Sequence, residues 1–254
     1  MAKQLFDYWF LQFDFPNEDG KPYKSSGGKM QYDNILNRNI PAHWSVTRLS
    51  DIITSNRGIS YNTESISGGG IPMINLASFN TDGSYKHAGL KTYNGNYTED
   101  KILHPFDLVM CNTQQTALDP AKDIIGKAFL VPNLFDEDIV SSHHVTTIKT
   151  SKSNLNAYLA YLTNTPHFHK YASGCCSGTN IMGLNFSTLI QCHIELPTDD
   201  VLLEFENRIR KIETPKYTLI KENINLEKMR NELLPLLMSG QVSVTQLNSD
   251  LSHD

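Results

Sequence analysis

The sequence predicts an α+β protein, in which a globular domain with a mixed β-sheet is attached to a long C-terminal helix. Apolar, β-rich runs such as IPMINLASF (71–79) and HPFDLVMCN (104–112) are separated by polar, glycine-bearing loops. The segment 199–240 instead has apolar residues three and four positions apart, the spacing of one helix face. Strands and helices do not alternate strictly, which favours a mixed sheet over a parallel one.

Composition places the chain among ordinary globular proteins. It has 254 residues, 39% hydrophobic residues and a net charge of −5. This charge disfavours non-specific nucleic-acid binding, which depends on many Lys and Arg contacts to phosphate, but it leaves room for a specific reader with unevenly distributed charge. Four cysteines without CxxC spacing, no secretory signal pattern and no apolar run of about 20 residues predict a cytoplasmic protein with reduced thiols and no membrane association.

The N-terminal segment 5–15 is dense in aromatic residues at helical spacing, and Pro16 ends it. It predicts a short helix or the end of a longer one. Residues 17–29 are rich in Gly, Ser, Pro and charge, as in an exposed connection. Within them, Gly27-Gly28-Lys29 has neither the glycine spacing nor the Ser or Thr of a phosphate-binding loop, so a nucleotide site is disfavoured.

The body of the chain, 34–198, has the following predicted elements in order. A short strand or turn is expected within 40–53, strands at 71–79, 104–112, 128–132, 139–149 and 189–196, a single helix at 155–171, and loops at 80–96, 113–127 and 173–183.

The C-terminal segment would extend about 60 Å as one helix, although Pro215 is expected to interrupt it. One compact domain is too small to cover that length, so the apolar face is expected to pack on a partner helix; a helix folded back on its own domain is the alternative. The predicted partner-facing residues are Leu202, Phe205, Ile209, Ile212, Ile220, Leu226, Met229, Leu233 and Leu237. We therefore divide the chain into 1–33, 34–198 and 199–254.

Several motifs, in order, resemble the DNA specificity subunits of type I restriction–modification systems. The N-terminal run 5–30 is similar to the segment before the second target-recognition domain of that family. The ending LEKMRNELLPLLMSGQVSV (226–244) is similar to the end of its distal helix. Between them, the matching segments are IPAHWSVTRLSDI (40–52), GGGIPMINLASF (68–79), HPFDLVMCN, SGTNIMGL (177–184) and HIELP (193–197).

This resemblance implies a non-catalytic subunit that reads double-stranded DNA for methyltransferase and restriction subunits. Members of the family carry two recognition domains separated by two antiparallel helices. This chain departs from that pattern, because it has one recognition domain and one long helix. The resemblance therefore implies a half-length form, which as a homodimer would bind a bipartite target with two-fold symmetry. In that arrangement 5–15 and 199–240 would form the spacer and dock the methyltransferase subunits.

Base reading needs side chains with hydrogen-bond donors and acceptors, while Lys, Ser, Thr and Tyr often position phosphates. The run after the strand 104–112 ranks first, followed by the loop at 57–62 and then the run near 91–94. The predicted DNA-binding residues are Arg57, Tyr61, Asn62, Lys91, Tyr93, Asn112, Thr113, Gln114, Gln115, Thr179 and Asn180. His143 and His144 are adjacent on a predicted strand and are expected on opposite faces, which disfavours a shared metal ion.

Catalysis is disfavoured. A methyltransferase would need a glycine-bearing cofactor loop and an Asn/Asp-Pro-Pro-aromatic motif, and a nuclease would need clustered acidic metal ligands. The acidic run 136–138 reads as a solvated turn. We therefore predict no catalytic residues, no cofactor and no bound metal. Two alternatives stay open: a coiled-coil scaffold for protein interactions, and an inactive truncated fragment that does not bind DNA by itself.

Overall fold

The computed structural model describes residues 1–66, 68–114, 123–178 and 181–241. The chain divides into two compact units, Met1–Lys211 and Ile212–Asp254. The predicted α+β class with a long C-terminal helix is confirmed. The functional boundaries predicted at 34 and 198 stay a prediction.

The strands of the described residues are short. They are β1 Met30–Asp33, β2 Arg38–Pro41, β3 Ser45–Arg48, β4 Ile53–Arg57, β5 Ile71–Ile74, β6 Lys91–Tyr93, β7 Leu108–Cys111, β8 Thr113–Gln114, β9 Ala128–Leu130, β10 Val140–Ser141, β11 Val145–Thr150, β12 Cys176–Ser177, β13 Met182–Leu184 and β14 His193–Leu196. The α-helices are α1 Ala2–Phe6, α2 Leu49–Ile52, α3 Leu155–Thr163, α4 Pro166–Gly174, α5 Phe186–Leu189 and α6 Asp199–Met238. Single helical turns lie at Asp7–Leu11, Glu64–Ile66, Leu76–Ser78, His87–Gly89 and Glu99–Lys101.

The sheets of the first unit are mixed in direction. The largest has the order β4-β11-β7-β9 with antiparallel neighbours, and β7 is buried along its whole length. A second sheet, β10-β5-β6, joins a parallel pair to an antiparallel pair. Smaller ladders have the orders β12-β13-β8, β14-β3 and β1-β2. The continuous apolar run LVMC of β7 follows from its central position, because both of its faces are covered.

The helix predicted over 155–171 is divided in two. The Thr165 hydroxyl accepts a hydrogen bond from the Phe168 amide at 3.3 Å, and Pro166 occupies the first turn of α4. Pro166 has no N–H to donate into α3 and favours the start of a new helix, so α3 ends before it. Leu155, Tyr158 and Leu159 of α3 are buried, as the predicted apolar face requires.

The N-terminal aromatic segment is part of the core of the first unit. Phe10 is 2% exposed, and its ring lies 4.8 Å from those of both Tyr158 and Phe205. Further along, Phe13 and Phe15 pack against Trp44 at 5.5 and 5.2 Å. The segment was expected to belong to a spacer, but its aromatic side chains other than Tyr8 are buried against their own domain. Burying this much aromatic surface is more favourable than exposing it along a spacer.

Helix α6 runs from Asp199 to Met238 with Pro215 and Pro235 inside it, so the interruption expected at Pro215 is absent from this described helix. A proline removes one backbone hydrogen bond, and the turns on either side stay helical. Residues Leu202, Phe205 and Ile209 are almost fully buried in the first unit. Their predicted role on a partner-facing surface is therefore corrected: for this part of the helix the alternative, packing on its own domain, holds.

In the second unit the predicted partner-facing residues keep solvent exposure. Leu226 is 62% exposed and Met229 54% exposed; Leu237 is also exposed, and Ile212, Ile220 and Leu233 are half-buried. Their pairing with a second helix stays a prediction. Among the described residues, no helix combines the length and apolar character needed to cross a membrane.

Candidate nucleic-acid interface

The residues that connect β10 to β11 form a turn with two stacked histidines. The His143 amide donates to the Ile59 carbonyl at 2.8 Å, and the His144 carbonyl accepts from the Asn112 amide at 3.0 Å. The rings of His143 and His144 are 3.8 Å apart between centroids. The prediction that they point to opposite faces of one strand is therefore wrong, because a turn at these two residues interrupts the alternation of a strand.

The His143 carbonyl joins two of the loops predicted to read DNA. It accepts hydrogen bonds from Arg57 Nε at 2.8 Å and from Asn112 Nδ2 at 3.1 Å. A close backbone approach makes the first contact feasible, since a Cβ on Gly58 would lie 2.2 Å from the Ser142 carbonyl oxygen. The glycine therefore lets the end of β4 reach the histidine turn.

A third predicted run reaches the same place. Lys91 Nζ lies 5.8 Å from the centroid of the Tyr61 ring, and that ring is 5.4 Å from the ring of His143. Tyr61 also packs against a small buried cluster formed by Met73, Tyr93 and Val140. The Tyr61 ring therefore lies beside both Lys91 and His143 while it packs against the buried cluster.

We call Arg57, Tyr61, Lys91, His143 and His144 the basic cluster. Burial lowers the pKa of His144, and the neighbouring His143, Arg57 and Lys91 lower it further. Every charged neighbour that shifts this pKa is basic, so the cluster has the electrostatics of an anion site.

The structure separates the predicted DNA-binding residues into exposed and buried groups. Arg57 and Lys91 are exposed and Tyr61 is half-buried, all within the basic cluster. Asn62 is exposed nearby, and its Oδ1 accepts from the Ser65 amide at 2.9 Å and the Ser65 hydroxyl at 2.6 Å. That oxygen caps a helical turn, which leaves Asn62 a structural task besides any contact with DNA.

Three residues predicted to contact DNA are buried, and their contact with DNA stays a prediction. Tyr93 is 5% exposed and its hydroxyl donates to the Asn96 carbonyl at 3.0 Å. Asn112 is 9% exposed, and its Nδ2 also donates to Thr146 Oγ1 at 2.8 Å. Thr113 is 7% exposed and donates to Asn112 Oδ1 at 2.8 Å. Their polar groups are used inside the domain, where Asn112 positions the histidine turn.

The other predicted positions are less defined. Gln114 lies in β8, where its backbone pairs with Met182. Gln115, Thr179 and Asn180 lie outside the described residues, so their contact with DNA stays a prediction.

The histidine turn is the element of this candidate interface that sequence reasoning misplaced. A pair of adjacent histidines at the centre of the β-branched run IVSSHHVTTIK was the available signal. The strand pattern on both sides concealed the turn, because Val140 and Val145 belong to different sheets.

Metal ligation has little support in the part of the chain that the structure describes. There, no group of three or more His, Cys, Asp or Glu side chains is placed to hold an ion. All four cysteines are free, and burial raises the pKa of Cys111 to about 12.

The fold and the basic cluster together define a class: an α+β domain with a cationic surface, followed by a long helix. Residues 41–227 match the family model of the type I restriction modification DNA specificity domain, and the chain belongs to this family. Specificity subunits of this class are non-catalytic.

A curated relative and two solved structures are similar to this chain. The chain is 22% identical over 251 residues to the type I restriction enzyme MjaIX specificity subunit of Methanocaldococcus jannaschii, covering 97% of this chain and 53% of that protein. Its fold is similar to that of a type I restriction–modification S subunit from M. genitalium, with a TM-score of 0.50 and 14% identity over 78% of this chain and 46% of the other. A further structure, the HsdS subunit of Thermoanaerobacter tengcongensis, has a TM-score of 0.45, with 15% identity over 94% of this chain and 51% of the other. The chain thus spans about half the length of the relatives it matches.

Proposed function

We propose that this chain binds one half of a bipartite double-stranded DNA target as the specificity subunit of a type I restriction–modification complex. In this proposal the recognition domain, 34–198, contacts DNA through the basic cluster, and the distal part of α6 assembles with methyltransferase subunits and a second copy of the chain. The restriction subunit joins through that complex, in the cytoplasm. The observation that carries the proposal is the convergence of Arg57, Lys91 and Tyr61 on the histidine turn, in a chain whose overall charge is negative.

The chemistry of the cluster suits DNA. The Arg57 guanidinium has five N–H donors, of which Nε is engaged by the His143 carbonyl. This contact orients the planar group, as recognition of guanine or phosphate by arginine requires. Lys91 is exposed beside the Tyr61 ring and suits a phosphate contact, which positions DNA without reading its sequence.

The second part of α6 supports the assembly role. Leu219, Leu226 and Met229 are 60%, 62% and 54% exposed. Side chains of this size at helical spacing suit contact with another helix. Pairing with a second copy would place two recognition domains on one complex and give a target with inverted half-sites.

Motif enrichment on the reconstituted methyltransferase complex tests this function. The complex is incubated with a random-sequence duplex pool, and bound or methylated DNA is sequenced; a bipartite motif is expected. Arg57→Ala should relax one position of the motif, at a cost of about 1–3 kcal/mol in discrimination. Lys91→Ala should weaken binding evenly across sequences and lower the salt dependence by about one phosphate contact.

Lys170→Ala, an exposed lysine on α4 outside the basic cluster, is the matched control and should leave both readouts unchanged. A wild-type complex that assembles but enriches no motif would favour the scaffold alternative. A chain that neither assembles nor binds DNA would favour the truncated fragment.

A further inference from the structure

The basic cluster contains a feature that DNA binding alone does not need: two imidazole rings in contact, surrounded by permanent cations. His143 and His144 stack at 3.8 Å, the Arg57 guanidinium bonds the His143 carbonyl, and Lys91 lies over Tyr61. A positive charge on the His144 ring would be repelled by its basic neighbours. The free site therefore favours an uncharged His144 imidazole.

Hydrogen bonding leads to the same conclusion. The Nδ1 atoms of His143 and His144 are buried, and neither has a hydrogen-bond partner among the described residues. A doubly protonated ring would place an N–H donor on this nitrogen, where no described protein atom accepts it. Such an unsatisfied buried donor is unfavourable, so burial and neighbours both oppose protonation of His144.

Asp100, an acidic residue near the cluster, is engaged with other partners. The carboxylate of Asp100, which neighbours Arg57 through Asn56, accepts from Asn56 Nδ2 at 3.1 Å and pairs with Lys101 Nζ at 3.4 Å. Lys101 also donates to the Arg57 carbonyl at 3.0 Å, which adds one more cation beside the cluster. Asn112, which supports the turn from the β7 side, is neutral.

We propose that the histidine turn is a proton-linked phosphate site, in which His144 takes up a proton when a DNA phosphate binds beside Lys91. This inference rests on the proposed function for its ligand, DNA. The phosphate supplies the negative charge that the cluster lacks, so the charged imidazole becomes favourable in the complex. Because binding takes up a proton, DNA affinity rises as the pH falls.

The sign follows from the pKa of His144. In the free protein this pKa is lowered from its ordinary value, mainly by burial and further by the neighbouring His143, Arg57 and Lys91. A bound phosphate raises it, so that between the two pKa values the complex holds a proton that the free protein does not. One linked proton limits the gain in affinity to about tenfold per pH unit.

Fluorescence anisotropy with the full-length chain and a labelled random-sequence duplex tests the inference from about pH 8 to about pH 6. Wild-type affinity should rise by about three- to tenfold toward the lower pH. His144→Asn keeps a polar side chain that does not titrate, and its affinity should be nearly constant over this range. His167→Asn, an exposed histidine on α4, is the matched control and should follow the wild type.

An equal pH dependence in His144→Asn and wild type would overturn the inference while leaving the proposed function intact. Loss of the dependence in His143→Asn with its retention in His144→Asn would overturn the assignment to His144.

A second readout does not require DNA. Inorganic phosphate is titrated into the chain while the His144 ring resonances are followed by NMR as a function of pH. Phosphate should raise the His144 pKa in the wild type and have a smaller effect in Lys91→Gln. If DNA does not bind at any pH, the proposed function fails and this titration still decides the inference. An unchanged His144 pKa in saturating phosphate would overturn it.

Discussion

The two parts of α6 have the same apolar spacing and opposite surroundings. In the first unit, Phe205 is fully buried with four aromatic rings around it, those of Phe6, Trp9, Phe10 and Tyr161. In the second unit, Leu226 keeps 62% of its surface exposed. A helical stripe in a sequence therefore specifies which face is apolar, and it does not specify whether the same domain or another molecule covers that face.

Truncating one side chain in each part of α6 tests this difference with the largest expected effect. Phe205→Ala should lower the free energy of unfolding by about 3–5 kcal/mol, because it leaves a large cavity among aromatic rings. Leu226→Ala should change it by less than about 0.5 kcal/mol, as an exposed side chain does. Chemical denaturation of both variants measures the difference; similar losses would mean that the two parts contribute alike to the fold.

A second comparison concerns assembly through the exposed part of α6. Leu226→Lys combined with Leu233→Lys places two charges on the apolar stripe and should weaken association with partner subunits or a second copy by at least about tenfold, which is about 1.4 kcal/mol. Asn225→Lys with Asn231→Lys adds the same charge to polar positions and is the control. Light scattering follows assembly and denaturation follows folding. Unchanged assembly in the Leu226/Leu233 variant would remove this stripe as the docking surface.

A smaller effect is expected from the buried carboxylate of Glu206, in the first part of α6. The Glu206 carboxylate accepts from the Ala157 amide at 3.2 Å and from Arg210 at 2.8 Å. Burial raises the pKa of Glu206, and Arg210 offsets part of this rise. Because the folded-state pKa of this carboxyl is raised, the protein loses stability as the pH rises from the unfolded value near 4.5 through the folded value.

Glu206→Gln should therefore become more stable relative to wild type between about pH 4 and about pH 7. Denaturation at several pH values measures this, with the exposed Glu204→Gln as control. A pH dependence no larger for Glu206→Gln than for Glu204→Gln would show that burial does not govern this carboxyl.

The smallest effect is expected from surface arginines. Arg208 pairs with Glu204 at 2.8 Å, and its guanidinium lies 5.3 Å from the centroid of the Trp9 ring. Arg208→Ala should cost about 0.5–1 kcal/mol of unfolding free energy, whereas the exposed Arg230→Ala in the second unit should cost close to none. Thermal or chemical denaturation compares the two variants. An equal loss of unfolding free energy would show that the contact of Arg208 with Trp9 does not stabilise the fold.

Much of the fold follows from sequence pattern, and the errors share a cause. The α+β class, β7 and α6 were predictable because apolar periodicity is local. The divided helix at Pro166 and the turn at His143 depend on which neighbours cover each segment, and the two sides of that turn belong to different sheets.

The candidate site was predictable in its residue types and less so in their exposure. Arg57, Tyr61 and Lys91 were chosen for their chemistry, and the structure brings them together. Asn112 and Tyr93 have suitable chemistry too, but tertiary packing buries them. The sequence pattern does not indicate that the Asn112 side chain supports the histidine turn, because its partner His143 is distant in sequence.

Aromatic contacts join the N-terminal segment to the first turns of α6. These contacts determine which residues must be transferred together when the domain is exchanged between proteins. Phe10 lies near one end of the first unit and Phe205 near the other, and their rings meet edge to face at 4.8 Å. A graft cut at 34 and 198 would leave both rings behind, and residues of the recipient would have to pack against the transplanted Trp44 and Tyr158. A transfer of 1–211 would keep these aromatic contacts together, so the first turns of α6 belong with the domain that is exchanged.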